Sequence, residues 1–346
     1  MDKIIDTPLV SVIMPAYNAA NYIEGAIDSV ISQSFSNWEL IIINDGSTDA
    51  TADVIAEKIK KDNRIKCINQ QNKRQSKARN LGISCALGTY IAFLDADDSI
   101  FPDRFIKQVA FLESNNEIIL CGSWFRIMNT DRVIKLPEKH EDIKLALLQG
   151  NCFANSSVMV RKRILDELPL IFDNSKEPAE DYDLWARLIF KGKLHNIQEV
   201  LLSYRTHANQ LSNKQNRIQK QSAFETKRNL FNLVKLDLLQ EERLVLDKIN
   251  KDGYGIGVKD IYTFKNLQIK LLRSNSKNIF EPKGFKKVVL GLEKMVVKRC
   301  FITVNMFSPK TYFNYLKVKK QLYFKLTIKE ELKLIIKSLI FFKQKQ

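Results

Sequence analysis

Val10-Ser11-Val12-Ile13-Met14-Pro15-Ala16-Tyr17-Asn18 opens as a β-rich run and is stopped by a proline and a turn-forming polar pair. A short apolar run bounded by breakers reads as a strand. Beyond it, Ile23, Ala26, Ile27, Val30 and Ile31 recur at spacings of three and four, the period of a helix with one buried face. The couplet then repeats. Residues 38–43 form a second apolar run, halted by Asn44-Asp45-Gly46-Ser47, and Thr48 or Asp49 is placed to cap a helix reaching about residue 61. A third strand is expected at 65–68, a helix at 75–84 and a fourth strand at 90–94. Strands alternating with helices predict an α/β fold, a doubly wound and mostly parallel sheet flanked by helices.

Ligands of such sheets bind outside the carboxyl ends of the strands. Three polar clusters fall there: Pro15-Ala16-Tyr17-Asn18, Asn44-Asp45-Gly46-Ser47 and Asp95-Ala96-Asp97-Asp98. They are expected to converge on one edge. Further on, the pattern predicts a helix from 105 to about 114, strands near 118–123, 124–128 and 157–160, an acid-led helix over 180–191, and a short strand at 201–205.

Charge divides the chain unevenly. Residues 1–210 hold 25 Lys and Arg against 28 Asp and Glu, whereas residues 211–346 hold 30 against 11. The texture also changes after Gln210, to long Lys-rich helical segments. The expected division is an α/β domain over 1–215 and a basic, mainly α-helical region over 216–346. Such asymmetry points to an anionic partner, a membrane surface or nucleic acid, although Lys enrichment on a solvated helical face gives the same count. Ile328, Leu332, Ile335, Ile336, Leu339 and Ile340 share one helical face, and Lys329, Lys333 and Lys337 another. That is a basic amphipathic helix, suited either to a membrane interface or to packing on its own domain. None of the five cysteines forms a C-x-x-C pair, Met1-Asp2-Lys3 opens no signal stretch, and the longest charge-free C-terminal run is too short to span a bilayer. The expected location is cytoplasmic, or peripheral at the inner face of a membrane.

Each candidate side chain has two readings. Asp95 and Asp97 follow a buried strand, where a hard cation would relieve their repulsion and share a substrate phosphate; the same triplet also resembles a helix cap with an acidic first turn. Asp45 offers an acceptor to a base or ribose, or simply makes a turn. Arg79 suits a fork contact with phosphate or a site carboxylate, or a structural ion pair. Glu180, Asp181 and Asp183 favour a helix start, yet a base that deprotonates an acceptor hydroxyl requires such a carboxylate. His207 is one of three histidines and suits metal or phosphate, but spacing alone does not decide it.

Taken in order, Val12-Ile13-Met14-Pro15-Ala16-Tyr17-Asn18, Ile42-Ile43-Asn44-Asp45-Gly46-Ser47-Thr48-Asp49, Ala78-Arg79-Asn80-Leu81-Gly82, Phe93-Leu94-Asp95-Ala96-Asp97-Asp98, Glu180-Asp181-Tyr182-Asp183-Leu184-Trp185 and Tyr204-Arg205-Thr206-His207 resemble the family-2 glycosyltransferases with the GT-A fold. The resemblance covers about residues 8–210. It implies an inverting transfer from a UDP-sugar to a hydroxyl of a saccharide or lipid-linked acceptor in cell-surface polysaccharide synthesis, assisted by Mn²⁺ or Mg²⁺. It implies that Pro15, Tyr17, Asn18, Asp45 and Arg79 line the nucleotide pocket. Asp95, Ala96 and Asp97 would form the D-x-D segment, with both aspartates at the metal. Asp181 would be the base, with Glu180 the competing choice, and His207 would lie near the diphosphate or metal. Two other readings fare worse: no zinc-finger or RNA-recognition signature accompanies the basic tail, and Pro15-Ala16-Tyr17 stands where a dinucleotide enzyme needs its glycines, the run Gly253-Tyr254-Gly255-Ile256-Gly257 having the wrong spacing.

Overall fold

The structure, a computed structural model, describes residues 7–207, 216–251, 255–304 and 306–343. Two compact units divide between Ala223 and Phe224. The expected boundary at 215 and residues 253–254 of the glycine run lie outside the described residues.

The first unit runs β1 (Val10–Ala16), α1 (Ile23–Ile31), β2 (Trp38–Asn44), α2 (Thr51–Lys61), β3 (Ile65–Asn69), α3 (Gln75–Ser84), β4 (Tyr90–Phe93), β5 (Ser99–Ile100), α4 (Arg104–Ser114), β6 (Ile118–Ile127), β7 (Val133–Ile134), α5 (His140–Leu147), β8 (Met159–Arg161), α6 (Lys162–Asp166), α7 (Glu180–Leu188) and β9 (Lys193–Tyr204). The strands form one sheet in the order β3-β2-β1-β4-β8-β6-β9-β5, with β7 beside β6. β1 lies parallel to β2 and β4, β2 to β3, and β6 to β9. β8 runs antiparallel to β4 and β6, β5 to β9 and β7 to β6, so the sheet is mixed with its longest ladders parallel.

A sheet covered on both faces needs strands that are nearly continuous apolar runs, and β1, β2 and β4 satisfy this with Ser11, Glu39 and Asn44 as the buried polar exceptions. Val10, Val12, Met14 and Ala16 pack in one core with Ile23, Ala26, Ile27 and Val30 of α1 and Phe105, Val109 and Leu112 of α4. Ile13 faces the other way, toward α3. There Gly82 lies so close that a Cβ would stand 2.6 Å from Ile13 Cγ2. Phe93 points to the same side, its ring 5.4 Å from Phe172 and 6.2 Å from Trp185 of α7.

Several expected boundaries move. Residues 118–128 are one strand, β6, whose register against β9 shifts between Ser123 and Phe125; such a bulge bends a strand without ending it. Residues 201–204 close the long β9, and α7 stops at Leu188. The short elements β5, β7, α5 and α6 carry too few residues for a period to show. The helix-cap reading of Asp97 and Asp98 fails, because Ser99 and Ile100 pair with β9 and α4 starts at Arg104.

The second unit is helical: after the end of Asn216–Asn232 come Gln240–Asn250, Val258–Ser274, Pro282–Phe301, Pro309–Lys319 and Ile328–Leu339. Phe264, Leu267, Leu271, Val289, Val296 and Val297 are fully buried in it. Glu293, also fully buried, receives Lys265 Nζ at 3.0 Å and the backbone N–H of Phe324 at 2.9 Å. Among the described residues no helix is long and apolar enough to cross a membrane.

One polar knot ties the parallel edge of the sheet together. Glu39 on β2 is buried, yet its Oε1 receives Ser11 Oγ at 2.6 Å and Leu87 N at 2.8 Å, while Oε2 receives Lys66 Nζ at 2.8 Å. Ser11 Oγ in turn accepts Gly88 N at 2.8 Å. Burial opposes the charge, but the bonds from Lys66, Ser11 and Leu87 outweigh it and hold the carboxyl below its usual range. A lowered folded-state pKa contributes stability above the unfolded value and loses it as pH falls through the folded one. Glu39→Gln is therefore expected to cost about 1–3 kcal/mol at pH 7. In urea titrations the difference from the parent should shrink once pH drops below the ordinary glutamate range; a constant difference down to pH 3 would contradict this reading.

Candidate active site

The carboxyl ends of β1 and β2 are laced together by their own polar groups. Asn18 adopts φ +48°, and its Oδ1 accepts Thr48 N at 2.8 Å while its N–H donates to Ser47 Oγ at 3.0 Å. Asp45 N donates to Ala16 O at 2.8 Å. Gly46, at φ +77°, passes so near the loop after β3 that a Cβ would meet Asn72 N at 2.9 Å, which is why a glycine sits there. The Asp45 carboxylate is buried and its Oδ1 receives Gln70 Nε2 at 2.5 Å and Lys73 N at 2.8 Å. Pro15 is half-buried and Tyr17, just past β1, is 52% exposed. Ala96 is buried with its methyl in the core, leaving only its backbone for a ligand.

Arg79 is the hub. It lies on α3, almost wholly buried, with Nη2 2.7 Å from Asp95 Oδ1 and Nη1 2.5 Å from Glu180 Oε1. Burial works to discharge the guanidinium, yet Asp95 and Glu180 raise its affinity for the proton. The structure thus gives Arg79 a site carboxylate rather than an exposed surface role. Asp95 N also receives support from below, donating to Ser156 Oγ at 3.1 Å. Arg104, fully buried, donates to Phe93 O at 3.2 Å and Val158 O at 2.9 Å and so pins the end of β4 to the return strand.

Asp97 faces His207, with Oδ2 2.9 Å from Nε2, and the His207 ring lies 4.8 Å from Tyr22. Burial, then the charge of Asp95, pushes the Asp97 carboxyl above its usual range, and His207 opposes the rise. Asp98 is buried behind them, accepts Arg205 N at 2.9 Å and is pushed well above the carboxylate range by burial and by Asp97 and Asp95. Arg205 Nε also donates to Asp97 O at 2.8 Å. Among the described residues no three His, Cys, Asp or Glu side chains converge tightly enough to hold an ion unaided.

Glu180 and Asp181 start α7, where the positive end of the helix favours carboxylates. Their environments differ. Glu180 is buried, fixed by Arg79, and raised to about 7 by burial despite that partner. Asp181 is half-buried, and its Oδ2 accepts Asn151 Nδ2 at 2.9 Å. Burial, with Asp95 adding to it, also raises Asp181, against the pull of Arg79. Contacts therefore join Arg79, Asp95 and Glu180 directly, and Asp97 with His207. Asp45 lies just past the end of β2, two strand spacings or about 10 Å from β4. Sequence reasoning missed Asn151, Ser156 and the roles of Asp98 and Arg205; the last two lay inside quoted motifs, whereas Asn151 and Ser156 belong to a stretch with no period or motif.

Comparison with known proteins identifies the family and the fold. The model of glycosyl transferase family 2 matches residues 11–169. An uncharacterized glycosyltransferase of Haemophilus influenzae is 39% identical over 234 residues, which cover 64% of this chain and 72% of that protein. The fold is similar to that of S. aureus TarS 1–349 in complex with UDP-GlcNAc, with TM-score 0.54, 16% identity, and 92% and 94% of the two chains covered. It is also similar to mannosyltransferase PcManGT of Pyrobaculum calidifontis in complex with GDP-Man and Mn²⁺, with TM-score 0.53, 14% identity, and 84% and 87% covered. The α/β unit with its strand-end carboxylates, and a relative this similar over most of its own length, carry the conclusion that the chain belongs to glycosyltransferase family 2 and is an enzyme.

Proposed function

We propose that the chain transfers a sugar from a UDP-sugar to a hydroxyl of a saccharide or lipid-linked acceptor at the inner face of the cell membrane, with inversion, in cell-surface polysaccharide synthesis. The observation that carries this reading is the buried Arg79 guanidinium, which draws the end of β4 and the start of α7 together. One carboxylate suited to a donor and one suited to an acceptor then flank a common space.

Asp45, held by Gln70 and Lys73 N, offers a fixed acceptor to the N–H of uracil or a ribose hydroxyl, and the exposed Tyr17 ring offers a face for the base. Pro15 and Asn18 shape the loop beneath them. Mn²⁺ or Mg²⁺ would be held by Asp97 and Asp95, with His207 beside them. The donors fit a hard cation that takes oxygen ligands, and the shortfall from three converging side chains fits a cation completed by substrate phosphate. When bound, it supplies positive charge against the departing diphosphate. Asp181 takes the proton from the acceptor hydroxyl; the oxygen bonds to the anomeric carbon as the bond to UDP breaks and its electron pair leaves with the nucleotide. Asp181 is preferred to Glu180 because it is reachable from solvent, whereas Glu180 is fixed by Arg79.

Two outcomes test this. In calorimetry with UDP and Mn²⁺, Asp97→Asn is expected to weaken binding by about tenfold or more. The same variant should match the parent when EDTA replaces the metal; unchanged affinity with Mn²⁺ would remove Asp97 from the metal site. Asp181→Asn should keep UDP affinity and lower kcat by about 10²–10⁴-fold. The parent's kcat should rise with pH on an acid limb lying above the ordinary aspartate range, because burial raises the Asp181 carboxyl and a base works only when deprotonated. Normal turnover in Asp181→Asn would assign the proton transfer elsewhere.

A further inference from the structure

The helix Ile328–Leu339 is turned opposite to an ordinary core helix. Its buried residues are Leu334 and Ser338, and its acids anchor it: Glu330 to Lys298 at 2.6 Å and Glu331 to Lys319 at 2.7 Å. Thr327 caps it through Glu330 N at 3.3 Å. The apolar row looks outward instead. Ile328 is 82% exposed, Leu332 54%, Ile336 58% and Leu339 66%, and the row continues through exposed Ile340 and Phe341. Of the face expected from the sequence, only Ile335 turns partly inward. Lys329, Lys333 and Lys337 each follow a member of this row by one residue, which places a cationic border along its flank.

We propose that this row is a docking surface for an anionic lipid bilayer. An exposed apolar stripe this continuous marks an interaction site rather than ordinary surface. Two further features choose the occupant. The lysine border is complementary to anionic headgroups, and the stretch containing it carries 30 Lys and Arg against 11 Asp and Glu. A bilayer also accepts both parts of the face at once: the apolar row sinks to the acyl boundary while the lysine stems reach back to the headgroups. A protein partner or second copy would have to desolvate the lysines beside the row. The helix is about 18 Å long, so it lies in the interface and does not cross it. This surface suits the lipid-linked acceptor proposed above but rests on the helix alone: transfer to a soluble acceptor would survive its loss.

The test is sedimentation of the full chain with vesicles of phosphatidylcholine containing roughly one third phosphatidylglycerol, and with pure phosphatidylcholine. The parent is expected to bind the mixed vesicles and to leave the neutral ones largely unbound. L332E/I336E should lose about tenfold or more in partitioning, and K329Q/K333Q about thirtyfold. Both change exposed side chains, so thermal melts followed by circular dichroism should match the parent. If L332E/I336E bound as well as the parent while the lysine variant did not, the surface would be a plain polyanion contact of the kind nucleic acid makes, and the proposal would fall. It would also fall if the parent ignored mixed vesicles and light scattering showed a dimer that L332E/I336E dissolves.

Discussion

The contact between the Arg79 guanidinium and the carboxylates of Asp95 and Glu180 sets the geometry of the site. Its two partners come from distant stretches of the chain, one ending a central parallel strand and the other starting α7. A buried guanidinium left with one partner is costly, because an unpaired charge in a low-dielectric interior loses its hydration without compensation. The fold therefore has a strong reason to keep both segments in place. What the ion pairs hold is a crowd of like charges. Asp97, Asp98, Glu180 and Asp181 lie near enough to one another and to Asp95 for burial and neighbouring charge to raise their carboxyls. Such a crowd is electrostatically unfinished, which is where the proposed divalent cation and diphosphate would act.

The sheet explains how that crowd is built. Because β1, β2 and β4 are parallel neighbours, their carboxyl ends point the same way and their polar tails are brought side by side. The segment entering the antiparallel β8, which lies between β4 and β6, delivers Ser156 and Arg104's acceptor Val158 O to the back of the β4 loop. Ser156 thus braces Asp95 from behind and Arg79 of α3, itself held by Glu180 of α7, from the side, while Arg205 and His207 beyond β9 hold Asp97.

Much of this was legible in the sequence, and the reason is local. The strand–helix alternation through residue 94 rests on period and breakers, and both survive folding because β1, β2 and β4 are buried on two faces. The D-x-D segment, Asp45 and the start of α7 were legible because each sits at a punctuation point. The rest depends on distance. Nothing near Arg79 announces that Glu180 will be its partner, and nothing near Asn151 announces Asp181. β6 was read as two strands because a register shift displaces the inside–outside pattern by one position. The outward row of Ile328–Leu339 was legible as a stripe, but its direction was not: Leu334 and Ser338 are the buried positions, with ion pairs from Glu330 and Glu331 beside them, and those pairs join residues distant in sequence.

The two units divide the chemistry between them. The first gathers carboxylates at strand ends, where the proposed nucleotide leaving group would sit; the second, strongly basic, supplies a lysine-bordered apolar surface. The central claim concerns the first, and a crystal soaked with uridine diphosphate and manganese addresses it most directly. Anomalous scattering from manganese should place the ion within coordination distance of Asp97 or Asp95 and against the diphosphate, with the Arg79 pairs intact. Manganese and nucleotide bound away from the ends of β1, β2 and β4 would contradict the account.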